Sequence, residues 1–189
     1  MGSFMARTIL SKYPDSGITA AIICGTCWQP TFALPALIKV VEAICKKTGE
    51  RNPNEQLQKM VFGGYNNRIE NPRTASDWLT RDDDIVDAYV ADPLCGFTPA
   101  CGLLRDMMVG IHYIQQPKNL SAMKKDLPVY FVAGKEDPVG SYGKGVTKIY
   151  DRLVAAGCSR AKLKLYPQWG HGLYEEAGDF NDVVLAFLA

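Results

Sequence analysis

Two nearly unbroken apolar runs and one alternating run are set into a chain that is otherwise striped at helical spacing. The strongest run, Leu127-Pro128-Val129-Tyr130-Phe131-Val132-Ala133, stops at Gly134 and predicts a strand covered on both faces of a parallel sheet. Ile18-Thr19-Ala20-Ala21-Ile22-Ile23-Cys24 predicts a second strand of that kind, and Ala161-Lys162-Leu163-Lys164-Leu165-Tyr166 a third. Residues 3–13 predict a helix with Phe4, Met5, Ile9 and Leu10 on one side and Arg7, Ser11 and Lys12 on the other, ended by Pro14-Asp15. Val146, Ile149, Tyr150, Leu153 and Val154 stripe a helix that stops at Gly157. Phe180, Val183, Val184, Phe187 and Leu188 stripe the last one.

From about residue 30 to 120 the pattern is helices and loops without strands. Leu37, Val40, Val41 and Ile44 form a stripe closed by Lys46, Lys47 and Gly49, a cationic last turn followed by a terminal glycine. Asp82-Asp83-Asp84 lead into Ile85, Val86, Tyr89 and Val90, so this acidic run is a helix N-terminus rather than a metal site. Pro99 opens a helix carrying Leu103, Leu104, Met107, Met108 and Ile111. The organisation expected is an α/β core in residues 1–29 and 121–189, with a helical cap or lid inserted over the strand ends in 30–120. Three strands are few for a parallel sheet covered by helices on both faces, so the chain reads as the back part of a larger α/β sheet.

Composition narrows this picture. With 47% hydrophobic and 22% charged residues, 189 residues suffice for one domain with a real core. A formal net charge of +1 gives no attraction for nucleic acid or an anionic membrane. No run of apolar residues is long enough to span a bilayer, and the first residues carry no signal-peptide pattern. Six cysteines are too few for a disulfide scaffold, which favours a reducing, cytoplasmic setting. Cys24-Gly25-Thr26-Cys27 has no second pair to complete a zinc site and does not open a helix as a redox pair would, so packing is its expected role. His112, beside Tyr113, is expected to pack or face solvent.

Chemistry converges at the strand tips. In open α/β sheets ligands bind beyond the carboxyl ends of the strands, and Asp137 lies in the turn that follows Gly134. His171, one of two histidines, follows the third strand in Pro167-Gln168-Trp169-Gly170-His171. An acid and a histidine in that chain order are the second and third members of a Ser…Asp…His triad.

These residues carry a family resemblance over nearly the whole chain. Met1-Gly2-Ser3-Phe4 resembles the segment that follows the nucleophile in Gly-His-Ser-Met-Gly-Ser-Phe. Gly134-Lys135-Glu136-Asp137-Pro138-Val139 resembles an acid turn, Gly-Asp-x-Asp-Pro-Val, and Tyr166-Pro167-Gln168-Trp169-Gly170-His171 a histidine loop. Asp77-Trp78-Leu79-Thr80-Arg81-Asp82 and Tyr89-Val90-Ala91-Asp92-Pro93-Leu94-Cys95-Gly96-Phe97 are similar to cap signatures of bacterial members. Together they resemble the C-terminal part of an α/β-hydrolase of the lysophospholipase and monoacylglycerol lipase type, also grouped with serine aminopeptidases.

The resemblance implies Asp137 as triad acid, His171 as general base and the backbone N–H of Met1 as an oxyanion donor. It implies a lipid-like ester as substrate and neither cofactor nor metal. Trp28, Phe97, Val139 and Trp169 are candidate walls of an acyl pocket, with ordinary burial the equal alternative for each aromatic residue. The family's serine falls immediately before Met1, which points to an internal methionine or a truncated gene. Ser141 and Cys27 are nucleophiles within the sequence, but neither sits on a strand–turn–helix elbow, and Ser3 lies inside the first helix. Two readings stay open: the catalytic back part of a serine ester hydrolase, or an inactive fragment that binds an apolar ligand or self-associates through an exposed sheet edge.

Overall fold

The structure, a computed structural model, describes residues 1–172 and 180–188. Its sheet has three parallel strands in the order β1 (Ala21–Cys24), β2 (Val129–Gly134), β3 (Ala161–Tyr166), with Val129 opposite both Ala21 and Ala161. All six residues of β2 are buried, as an apolar run at the centre of a covered sheet requires. β1 is shorter than its apolar run and is not covered on both faces as that run predicts: Ile23 is buried, Ala21 and Ile22 are half-buried, and Cys24 is exposed. The ladder starts at Ala21, whose N–H donates to the Pro128 carbonyl, and Pro128 has no N–H to return.

The two sheet faces pack different helices. Val129, Phe131 and Ala133 face α1 (Gly2–Lys12) and α7 (Lys144–Ala155), meeting Leu10, Val146, Ile149 and Leu153. Tyr130 and Val132 face the other way, toward α8 (Phe180–Leu188), with Phe187 against Tyr130. The side chains of Val183 and Leu188 in the predicted stripe lie outside the described residues.

Between β1 and β2 come α2 (Leu34–Thr48), α3 (Glu55–Phe62), α4 (Asp83–Ala91), α5 (Cys101–Ile114) and α6 (Pro117–Ala122). Asp82 caps α4 by accepting from the Asp84 and Ile85 amides, so the acidic run does serve a helix start. Gly49 ends α2 at φ +92°. α3 has no long apolar stripe to announce it, but Asn54 caps it through the Leu57 amide. Pro99 lies outside α5, whose N-cap is Ala100. Val41, Cys45 and Leu57 pack with Cys101, Leu104 and Met108 into a second core, separate from the one on the sheet.

Two features depart from the sequence reading. α1 buries Phe4, Arg7, Leu10 and Ser11 and exposes Met5 and Ile9. Its rotation is set by Arg7, whose guanidinium donates to Thr26 Oγ1 (3.1 Å) and the Cys27 carbonyl (3.2 Å), satisfying the buried loop after β1. Burial lowers the Arg7 pKa to about 10, which leaves it charged at neutral pH. Second, Cys45 and Cys101 form a disulfide, joining the end of α2 to the start of α5 across 56 positions. That pairing has no local spacing to announce it. Among the described residues, no helix is long and apolar enough to cross a membrane.

Ile149 is fully buried beneath the sheet, whereas Val154, on the same helix, is 45% exposed. Ile149→Ala is expected to lower unfolding free energy by about 2–5 kcal/mol in urea titrations, and Val154→Ala by no more than about 0.5 kcal/mol.

Candidate active site

β2 and β3 run parallel and end side by side, so the turns that follow them meet. Lys135 N–H donates to the Tyr166 carbonyl (2.8 Å) and Glu136 N–H to the Trp169 carbonyl (3.0 Å), which sews the acid turn to the histidine loop. Gly134 makes the approach possible: a Cβ there would run into the carbonyls of Trp169 and Gly170.

Asp137 is completely buried at this seam. Its Oδ1 accepts from the Val139 amide (2.8 Å), and its Oδ2 lies 3.0 Å from His171 Nδ1. Because the buried carboxylate only accepts, it places the imidazole proton on Nδ1 and leaves Nε2 with a free lone pair. His171 itself is partly exposed, with 28% of its side-chain surface in solvent. The result is an oriented imidazole whose Nε2 has no hydrogen-bond partner among the described residues, an arrangement suited to general-base catalysis.

The imidazole is held on its other sides as well. Gly25, at φ +53°, sits so close that a Cβ would stand 2.6 Å from His171 Cε1. The Trp78 ring lies 5.5 Å from the imidazole, tilted by 49°. Gly172 N–H donates to the Leu79 carbonyl (2.7 Å), anchoring the loop to the helical block.

Among the described residues, His171 lines two of the larger cavities. One, of about 360 Å³, is walled by Met1, Phe4, Leu34, Met107, Ile111 and Val139 among others. The other, of about 740 Å³, includes Cys24, Leu79, Val86 and Tyr89. The smaller cavity also contains Cys27, whose thiol burial pushes up to about 11, with the Asp137 charge adding to the effect. Cys27 is therefore a neutral thiol at physiological pH and a poor nucleophile. Ser141 lies outside this lining, in a turn where Ser141, Tyr142 and Gly143 all have positive φ.

Of the residues singled out in the sequence, Asp137, His171, Met1 and Val139 come together. Trp28 is buried in the core over α7, near Lys148 and Arg152 (5.4 and 5.5 Å from its ring). Trp169 stacks on Tyr166 at 3.9 Å. Phe97 is 61% exposed and borders a separate cavity with Gly63 and Leu94. His112 contacts Gln116 and lines neither cavity beside His171. Sequence reasoning passed over Gly25, since its motif was read for cysteines, and over Gly134 as a backbone contact. The signal available was a glycine directly after each of two predicted strands.

Three parallel strands between helices, with an acid and a histidine at adjacent strand tips, define an α/β-hydrolase-like fold. The family model described as Serine aminopeptidase, S33 (Hydrolase_4) matches residues 1–178, and the chain belongs to that family. No curated protein matches its sequence. Among solved structures, it is similar to a highly thermostable carboxyl esterase from Bacillus coagulans in complex with glycerol, at 27% identity and a TM-score of 0.87, covering 98% of this chain and 61% of that one. A lipase in an open form (23%, TM-score 0.84, 98% and 61% covered) shares the fold. So does a monoacylglycerol lipase from Paleococcus ferrophilus (15%, TM-score 0.63, 98% and 63%). The chain thus spans about three fifths of the length of these relatives.

Gly25→Ala would add both a Cβ against the imidazole and strain at positive φ. It is expected to cost roughly 1–3 kcal/mol in stability and to remove the downfield proton resonance of the His171 Nδ1–H hydrogen bond in NMR spectra. A retained resonance would contradict the close packing described.

Proposed function

We propose that this chain is the acid- and base-bearing part of a serine ester hydrolase acting on a lipid-like ester with a single acyl chain, such as a lysophospholipid or monoacylglycerol. The observation that carries the proposal is the buried Asp137 carboxylate 3.0 Å from His171 Nδ1, at the rim of an apolar cavity that Met1 also lines. In this reading the nucleophile is a serine in a Gly-x-Ser segment directly preceding Met1. Nε2 of His171 takes the serine proton as Oγ attacks the ester carbonyl. Asp137 stabilises the resulting imidazolium without taking its proton, and the Met1 N–H donates to the oxyanion. The imidazolium then protonates the departing alkoxide, and water, activated by the same nitrogen, releases the acid.

Residues 30–120 are assigned as a cap. Leu34, Met107 and Ile111, which face the cavity from α2 and α5, suit an acyl chain. The resemblance to a carboxyl esterase supports ester over amide chemistry.

A second reading has its own support. Met1, Met5, Ile9 and Tyr13 recur every fourth residue at the start of the chain and are each 44–59% exposed, while β1 pairs with β2 alone among the described strands. An apolar stripe beside an open edge favours self-association of the 189-residue chain.

A chain extended through the preceding Gly-x-Ser segment is expected to hydrolyse p-nitrophenyl esters and to label with a fluorophosphonate. Its kcat should fall about 10⁴–10⁶-fold in His171→Ala and about 10⁴-fold in Asp137→Asn. The 189-residue chain alone should give no burst of p-nitrophenol. Absence of labelling in the extended chain would remove the hydrolase reading.

A further inference from the structure

Trp78 does more than cover the histidine loop. Its ring centroid stands 5.5 Å from that of His171, inside the range over which an aromatic face attracts a cation. Its position is set from three directions. The backbone N–H of Trp78 donates to Asn66 Oδ1 (3.0 Å), and Asn66 Nδ2 in turn donates to the Thr74 carbonyl (2.7 Å). The indole meets Tyr65 edge-on at 4.9 Å, and Tyr65 meets Phe62 edge-on at 5.5 Å. One residue on, the Leu79 carbonyl holds Gly172, the neighbour of His171. An aromatic file from α3 is thus locked, through backbone and side chain, against the imidazole.

We propose that Trp78 is a positioning residue that stabilises the imidazolium form of His171 through its π face and so raises the basicity of that nitrogen. Its consequence for catalysis rests on His171 being the general base; its effect on the titration of His171 does not. Other ionisable groups face the imidazole or share its cavities. They are Asp137 from the acid turn, Cys24 and Cys27 from the end of β1 and its loop, Tyr65, Tyr89 and Asp92 from the helical block, and the α-amino group of Met1. Cys27 and Tyr65 stay neutral while a histidine titrates, since burial holds them at about 11 and about 12. Of these groups Tyr65 packs against Trp78, and it is neutral over the range in which a histidine titrates.

The sign of the effect separates this role from simple cover. Taking away a bulky lid would hydrate the imidazole and raise its pKa, because burial disfavours the charged form. Taking away a cation–π partner lowers it. The chain has two histidines, so the His171 Cε1–H resonance can be followed by NMR from pH 4 to 9 and assigned with His112→Gln. Trp78→Leu is expected to lower the His171 pKa by about 0.5–1 unit, and Trp78→Phe, which keeps an aromatic face, to stay within about 0.3 unit of the parent. An unchanged or raised value in the Leu variant overturns the proposal, as does a Phe variant that falls equally far. Should Trp78→Leu fail to fold, tetrafluorotryptophan at position 78 keeps the shape while withdrawing charge from the ring. A fall in the His171 pKa there supports the proposal, and an unchanged value overturns it.

Discussion

A carboxylate with no solvent exposure needs its partners, and among the described residues Asp137 has two: the Val139 amide and the His171 ring. Charge-assisted hydrogen bonds of this kind stabilise by about 1.5–3 kcal/mol each, against a desolvation cost of several kcal/mol for an isolated buried ion. The pair therefore holds together as a unit. Moving the imidazole away would take from a buried charge one of the partners it has, so the histidine loop is kept where the carboxylate requires it. The turns after β2 and β3 and the loop after β1 are arranged around that constraint.

Small residues let the backbone come close enough to meet it. Gly134 admits the Trp169 carbonyl, Gly25 admits the imidazole edge, and Gly170 admits the carbonyls of Leu79 and Trp78. Each removes a Cβ from a place where two segments touch. At Gly25 a positive φ also steers the chain away from the sheet, toward the loop that Arg7 secures from below. The site is thus built from absences as much as from functional groups, with strand ends, a buried guanidinium and the helical block each closing one side.

The helical block contributes on two scales. Locally, its Trp78–Leu79 step touches the histidine loop through a ring contact and a hydrogen bond. Globally, α2 and α5 pack into a core of their own, cross-linked by Cys45–Cys101, and present Leu34, Met107 and Ile111 to the cavity beside His171. Leu34 and Ile111 also pack with Phe4 and Cys27, which ties these helices to α1 and to the loop after β1.

Periodicity by itself determined the positions of the three strands, the full burial of β2, and most of the long helices, because apolar spacing is a local property that burial enforces. It also placed Asp137 and His171 at strand ends, where chain order and turn chemistry are legible. What only tertiary structure decided were pairings between distant segments. The rotation of α1 was one: a stripe of Phe4, Met5, Ile9 and Leu10 looks apolar, yet Arg7 turned inward because distant Thr26 and Cys27 needed a donor. The Cys45–Cys101 bond joined positions with no local spacing, and Trp28 and Trp169 went to the core and to a stack on Tyr166 while Phe97 went to the surface. Trp78, read as part of a sequence signature, acquired its meaning from the ring it faces. An aromatic side chain carries no mark in the sequence of which neighbour it will meet, since that is fixed by packing among segments far apart in the chain.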